Sequence, residues 1–163
     1  MRYLITFSCY GAHLHGDEAG SIDRHNNQIG NRSLDIDPRW REREQALMKD
    51  PPFLLDHHDK RSAVLAAIRE VCEHKSWTLM AAHIRSTHVH TIVEADETPE
   101  RIMNTFKAYA SRLLNSSSHE ARKRWARDGS TKRLWNDEQV RRATKYVVDE
   151  QGTKMVVYHS GAV

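Results

Sequence analysis

The histidine pair His88 and His90 is the part of this sequence with the clearest potential for chemistry. The stretch around it, residues 77–94, predicts two strands joined by a tight turn, and the second strand begins with the pair. Side chains two residues apart on a strand point to the same face, so the two imidazoles should lie side by side. Histidine is the commonest protein metal ligand, and such a pair is half of a metal site. The alternative is two surface histidines on a half-exposed strand.

A helix predicted over residues 137–150 carries a second group of reactive side chains. Tyr146 lies among cationic residues that would stabilise a phenolate, without which a tyrosine hydroxyl with a pKa of about 10 is a poor nucleophile. Glu150 follows one turn later on the same helical face and would complete a metal site begun by the histidines. In the alternative interpretation, Tyr146 only packs against its neighbours and Glu150 is an exposed acid.

The stretch from residue 107 to residue 142 is rich in basic residues, although the whole chain has a net charge of only +3. Tyr109, Trp125 and Trp135 are interleaved with them. Positive charge combined with aromatic platforms is typical of a surface that binds single-stranded nucleic acid. The alternative is a solvated helix face whose aromatic residues belong to the core. The residues expected to contact phosphates are Lys107, Arg112, Arg122, Lys123, Arg124, Arg133 and Arg142.

Length and composition predict one globular domain, residues 1–163. The chain has 163 residues, of which 39% are hydrophobic. No apolar run is long enough for a membrane helix, and the N-terminus lacks the pattern of a signal peptide. The two cysteines, Cys9 and Cys72, do not suggest a disulfide framework. We therefore expect a cytoplasmic protein without a membrane partner.

The order of predicted elements indicates an α+β, ferredoxin-like split βαβ fold. It implies an antiparallel four-stranded sheet with helices on one face, plus a terminal helix that bears Tyr146. A long loop insertion is expected at about residues 11–55. Along the chain we expect a first strand at 3–10, a short helix at 38–49 within the insertion, a helix at 57–76, the two strands of 77–94, a helix at 99–115 that Ser116–Ser118 would end, a short basic helix at 119–127, a strand at 130–135, the helix at 137–150 and a last short strand at 154–158.

Histidine-hydrophobic-histidine on a central strand, followed by a helix with one tyrosine, resembles the single-tyrosine HUH transposases. These include insertion-sequence transposases and REP-associated tyrosine transposases. HIRSTHVHTIVE is similar to the family's histidine strand, with Thr87 where asparagine is usual. FKAYASR resembles the helix that follows, and LW with KYVVDEQ resembles the tail. The opening FSCYGAHLHGDEAGSIDR is similar to members with a long insertion. The motifs are short, but their order and spacing cover most of the chain.

The resemblance implies a metal-dependent DNA transposase, a nuclease and strand transferase. Such an enzyme cleaves single-stranded or hairpin DNA through a 5′-phosphotyrosine intermediate. Tyr146 would be the nucleophile, while His88, His90 and Glu150 would hold Mg²⁺ or Mn²⁺. The family often has glutamine or asparagine four residues after the tyrosine, so the third ligand stays open between Glu150 and Gln151; helical phase favours Glu150. Tyr109, in the basic region, is the rival nucleophile.

Two other functions stay open on the sequence alone. One is a domesticated, catalytically silent protein that binds single-stranded DNA, and the other is a nickase of the relaxase or replication-initiator type. The small size of the chain and the absence of a second tyrosine cluster argue against the nickase. The sequence leaves open which DNA is recognised, whether the protein is a monomer or a homodimer, and whether the tyrosine acts within its own subunit.

Overall fold

The structure, a computed structural model, describes residues 1–12 and 38–161. Most of the expected insertion at 11–55 lies outside the described residues, but the short helix expected near its end is present as α1. The elements are β1 Arg2–Cys9, α1 Pro38–Leu47, α2 His58–Lys75, β2 Thr78–Ile84, β3 His88–Glu94, α3 Pro99–Ser118, β4 Trp125–Leu134, α4 Asp137–Asp149 and β5 Val156–His159.

The five strands form one sheet in the order β4-β1-β3-β2-β5. Every neighbouring pair is antiparallel. The first four strands of this order have the ferredoxin-like arrangement, so the predicted fold class is confirmed. The sheet has five strands rather than four because β5 pairs with the free edge of β2.

The two faces of the sheet are covered by different helices. Because side chains alternate along a strand, Ile5, Phe7 and Val89 enter the core that α2 and α3 cover. On the opposite face, Ile92 packs with Val140 and other apolar residues of α4. His88 and His90 share the face of Ile92, since they are an even number of residues from it. The histidine pair and the terminal helix therefore lie on the same side of the sheet.

The boundary between α3 and β4 differs from the prediction. The hydroxyls of Ser116 and Ser117 donate to the carbonyl of Leu113, and that of Ser118 donates to Leu114. Serines that bond to the preceding turn in this way can remain helical. Helix α3 therefore continues to Ser118, and its C-cap residue His119 has a φ of 54°. The short basic helix predicted at 119–127 is wrong, because β4 begins inside that range and pairs with β1.

Lys107 on α3 is buried and holds β4 against the helix. Its ammonium group donates to the carbonyls of Ala126, Arg127 and Asp128 at 3.0, 3.2 and 3.2 Å. It also lies 5.8 Å from the centre of the Phe7 ring. Burial lowers the pKa of this lysine. The expectation that Lys107 contacts phosphates is therefore corrected, since its three donors point into the protein.

Arg124, just before β4, is the second basic residue that the sequence placed on the surface and the structure buries. It is 4% exposed. Its guanidinium donates to the side chains of Asn115 and Ser118 and to the carbonyl of Glu120, and it stacks 4.9 Å from the centre of the Phe53 ring. Arg124 ties the end of α3 to the start of β4 and is not a phosphate contact.

Both cysteines are free and buried. Burial raises the pKa of the Cys9 and Cys72 thiols to about 12 in each case. Both thiols are therefore protonated near neutral pH, which disfavours the reactive thiolate form. None of the helices in the described ranges has the length and apolar composition that a membrane crossing requires.

Replacing Lys107 by methionine should destabilise the protein without weakening its binding to DNA. Methionine keeps much of the aliphatic packing but leaves three strand carbonyls without their buried donor, which costs about 1–3 kcal/mol in the free energy of unfolding. Chemical denaturation measures this cost, and Lys132→Met on the exposed side of β4 is the matched control with little expected change. Equal stability of the two variants, with DNA affinity reduced only in Lys107→Met, would contradict the structural role.

Candidate active site

The histidine pair lies at the start of β3, which is hydrogen-bonded to a neighbouring strand on each side. β1 pairs with one side of β3 and β2 with the other. The rings of His88 and His90 are 4.6 Å apart, centre to centre, and nearly perpendicular at 80°. His88 is half-buried and His90 is 4% exposed. The structure therefore places the two imidazoles side by side on a rigid strand, in the arrangement that the spacing predicts.

Both nitrogens of the His90 ring have partners. Nδ1 lies 2.7 Å from the hydroxyl oxygen of Thr6, which is opposite His90 on β1. Nε2 lies 3.0 Å from the side-chain oxygen of Gln151. Burial, followed by the neighbouring His88, lowers the pKa of His90 to about 3. His90 is thus neutral at ordinary pH, which is the protonation state that a metal ligand requires.

The terminal helix α4 forms for reasons that are visible in its sequence. The side chain of Asn136 accepts a hydrogen bond of 2.9 Å from the backbone N–H of Gln139 and caps the first turn. Asn136, the residue before the first residue of α4, is therefore the N-cap. Asp137 instead pairs with Arg2 on β1 at 2.5 Å. Val140 and Val147 recur at helical spacing and are buried against the sheet, which directs the last turn toward the histidines.

Tyr146 lies in the last turn of α4 and faces the histidine pair. Its ring centre is 5.7 Å from that of His90, with the two rings inclined at 73°. The side chain is 41% exposed, so its hydroxyl can be reached from solvent. Two cationic residues close to Tyr146 in the sequence have other partners. Arg142 pairs with Glu138, and the Lys145 ammonium lies 3.5 Å from the Glu150 carboxylate.

Gln151, rather than Glu150, reaches His90. Helix α4 ends at Asp149, and Glu150 is its C-terminal cap residue with an exposed side chain. The argument from helical phase fails because the helix stops before that position. The amide of Gln151 contacts His90 through its oxygen and donates from its nitrogen to the Tyr146 carbonyl at 3.1 Å. Across the described ranges no three histidine, cysteine or carboxylate side chains gather as a metal site.

The rival nucleophile, Tyr109, lies elsewhere. It is half-buried on α3 and packs against the core on the opposite face of the sheet from His90. The Arg112 guanidinium stacks 4.8 Å from the centre of its ring. The sheet therefore separates Tyr109 from the histidine pair.

Of the other predicted phosphate contacts, Arg112 is exposed on α3, and the rest lie around the start and end of β4 and on α4. Lys123 is exposed, with its ammonium 4.6 Å from the centre of the Tyr10 ring. Arg122 is half-buried and donates to the carbonyl of Pro51. Arg133 is exposed, and its guanidinium stacks 4.0 Å from the centre of the Trp135 ring. Together with Arg142, which is exposed, these side chains offer positive charge to solvent on the described surface.

Thr6 and Arg85 lie near the site and were not identified from the sequence. Thr6 contacts His90 from β1, and only the register between the strands, which a single sequence does not reveal, could have identified it. Arg85 follows β2 directly, and its positive charge is among the causes that lower the pKa of His90. Its guanidinium also donates to the carbonyl of Thr153 at 3.1 Å. The turn motif before the histidines could have pointed to this cation.

Comparison with solved structures gives two similar folds. The chain is similar to a REP-associated tyrosine transposase solved in complex with a REP hairpin, with 11% identity and a TM-score of 0.50. The match covers 91% of this chain and 65% of that one, so this chain spans about two thirds of that transposase. A protein from Deinococcus radiodurans R1, solved as a candidate transposase, shares 9% identity at a TM-score of 0.47, with 90% and 88% of the two chains covered.

Comparison with curated protein sequences gives no match. A family profile does match: the one described as "Transposase IS200 like" covers residues 52–150. This range is more than half of the chain and contains the histidine pair, β4 and all of α4. The predicted family is thereby confirmed, and the chain belongs to the IS200-like transposases.

Proposed function

We propose that this transposase cleaves single-stranded or hairpin DNA by attack of the Tyr146 hydroxyl on a phosphate held beside His88 and His90. The observation that carries the proposal is the approach of Tyr146 to His90, with ring centres 5.7 Å apart on the same face of the sheet. A nucleophile must stand close to the group that activates its target. Both residues belong to one chain, which favours attack within that chain.

The side chains around His90 fit a divalent cation. His90 Nε2 and the Gln151 oxygen are 3.0 Å apart, and two ligands at right angles on an octahedral ion with bonds of about 2.1 Å are separated by about 3.0 Å. The Thr6 hydroxyl can donate or accept, so it can hold Nδ1–H while Nε2 keeps its lone pair for the ion. We assign His88, His90 and Gln151 as the residues that would hold Mg²⁺ or Mn²⁺, with Glu150 outside the set.

A divalent ion bound there would act as a Lewis acid on the scissile phosphate. The nucleophile comes from the protein itself. The Tyr146 oxygen forms the new bond to phosphorus and loses its proton, while the bond from phosphorus to the 3′ oxygen breaks and that oxygen takes up a proton. The products are a 5′-phosphotyrosine on Tyr146 and a free 3′-OH, with the number of phosphodiester-type bonds unchanged. This balance allows the reverse step, rejoining to another 3′-OH.

The exposed cations supply the affinity for DNA in this proposal. Lys123 lies beside Tyr10, close to the end of β1 that pairs with His88. At the other end of β4, Trp135 is 67% exposed and carries the Arg133 guanidinium on its ring. An aromatic ring next to a cation is suited to a stacked base and its phosphate. The complex of the similar REP-associated transposase with a REP hairpin supports DNA as the partner.

Tyr146→Phe should abolish the covalent protein–DNA adduct while preserving the fold and DNA affinity. Only the phenol oxygen is removed, and phenylalanine keeps the contact with His90. The measurement uses a labelled single-stranded or hairpin oligonucleotide with Mn²⁺, denaturing gel electrophoresis and mass spectrometry of the modified peptide. Tyr109→Phe is the matched control and should form the adduct normally.

Three outcomes of this experiment would count against the proposal. Loss of the adduct in Tyr109→Phe but not in Tyr146→Phe would assign the nucleophile to α3. An adduct restored by mixing Tyr146→Phe with His90→Ala protein would show attack between subunits. DNA binding by the wild type without any adduct would instead favour the catalytically silent DNA-binding protein.

Gln151→Ala should weaken Mn²⁺ binding at least about tenfold, because even outer-shell partners of a metal site contribute that much. Glu150→Ala, one residue away, should change the affinity by less than about twofold, since its carboxylate is exposed and next to Lys145. Titration calorimetry with Mn²⁺ alone measures both affinities without requiring cleavage. If Glu150→Ala weakens Mn²⁺ binding more than Gln151→Ala does, Glu150 is the third ligand instead.

Lys123→Ala and Arg133→Ala should each weaken binding to single-stranded DNA and flatten its dependence on salt. For each phosphate that the protein no longer neutralises, the slope of log affinity against log salt should fall by about 0.7. Lys75→Ala, which removes the same charge from an exposed site at the end of α2, should leave the slope unchanged. If all three variants keep the wild-type slope, neither Lys123 nor Arg133 contacts a DNA phosphate.

A further inference from the structure

His83 on β2 is a fully buried histidine beside the candidate site. It is 0% exposed and stands directly opposite His90 across the antiparallel pair of β2 and β3. Directly opposed residues share a face of the sheet, so His83 points toward α4. Neither the metal set nor the nucleophile of the proposed function includes it.

Both ring nitrogens of His83 bond to the backbone of the segment that carries the nucleophile. Nδ1 lies 2.9 Å from the carbonyl oxygen of Val147, the residue after Tyr146. The backbone N–H of Met155 donates to Nε2 at 3.2 Å. A carbonyl can only accept and an N–H can only donate, so Nδ1 carries the proton and Nε2 is bare. The partners therefore fix one neutral tautomer of the ring.

These two bonds bracket the end of α4 and the turn after it. Carbonyls in the last turn of a helix lack partners within the helix, and α4 ends at Asp149. His83 supplies the missing donor to Val147 from the sheet, and its other nitrogen holds the chain where it turns back into β5. Gln151 lies between the two anchored positions, and Tyr146 directly precedes the first of them.

We propose that His83 is a positioning residue that fixes the end of α4 on the sheet, so that Tyr146 and Gln151 face the histidine pair of their own chain. The inference deepens the proposed function and rests on it for its kinetic consequence. A displacement of about 1 Å in a reacting group can slow a reaction about a hundredfold. His83 therefore acts on the rate through Tyr146 and does not touch DNA or the metal.

The kinetic test compares single-turnover adduct formation with DNA affinity. His83→Leu removes both bonds and keeps an apolar side chain of similar size, while His83→Gln keeps one donor and one acceptor. Val64→Ala in α2, on the opposite face of the sheet, is the control for general loss of stability. We expect His83→Leu to slow adduct formation at least about tenfold with the dissociation constant for DNA within about twofold, and His83→Gln to regain part of the rate. A rate in His83→Leu within twofold of that of Val64→Ala would overturn the proposal.

Two spectroscopic readouts test the inference independently of cleavage. Nitrogen NMR of the wild-type protein should show His83 protonated at Nδ1 and bare at Nε2; the reverse tautomer would overturn the proposal even if the Leu variant fails to fold. A nuclear Overhauser effect between the Tyr146 and His90 rings should be present in the wild type and in Val64→Ala and absent from His83→Leu. Its persistence in folded His83→Leu would overturn the proposal.

The readouts separate the two hypotheses. A wild-type protein that forms no adduct, but shows the expected tautomer and the approach of the two rings that depends on His83, would refute the proposed function and leave the positioning role intact. A wild-type protein that forms the adduct, with His83→Leu forming it equally fast, would refute the positioning role alone.

Discussion

The register of the three central strands is the constraint on which the site depends. Thr6 on β1, His90 on β3 and His83 on β2 form one row across the sheet. Side chains alternate strictly between faces, so a slip of one residue would turn His90 toward α2 and α3. The same slip would remove the Thr6 hydroxyl from His90 Nδ1 and break the contact between Gln151 and His90 Nε2. Backbone pairing on both sides of β3 is therefore what holds the imidazoles in a defined orientation.

The second organising feature is the division of the basic residues into two groups with different roles. Lys107 and Arg124 donate to backbone carbonyls and neutral side chains, and so join α3 to β4. Lys123 and Arg133 stack on aromatic rings at the surface and keep their charge available to solvent. A buried cation that satisfies several carbonyls is costly to remove. Such a residue cannot be told from a DNA contact by its charge alone, although its substitution should change stability rather than affinity.

Local sequence patterns predicted much of the fold and the positions of His88, His90 and Tyr146. The spacing of His88 and His90 placed them on one face, and the periodicity of α4 placed Tyr146 on a helix. Features that depend on contacts between residues far apart in the sequence could not be predicted from local patterns. The strand at Trp125 is fixed by its pairing with β1, and the basic composition of the preceding residues suggested a helix instead. Gln151 reaches His90 only because α4 stops at Asp149, and nothing in the sequence of that turn marks the end within one residue.

The burial of both thiols has a consequence for the chemistry available at the surface. Thiolates are stronger nucleophiles than phenols, but Cys9 and Cys72 are enclosed, with the pKa of each raised to about 12. Neither thiol is therefore placed to attack a large substrate at the surface. The chain has only these two cysteines. A single cysteine introduced on the exposed side of α4 would therefore be the one readily labelled thiol, a site for a reporter that follows the motion of the tyrosine helix.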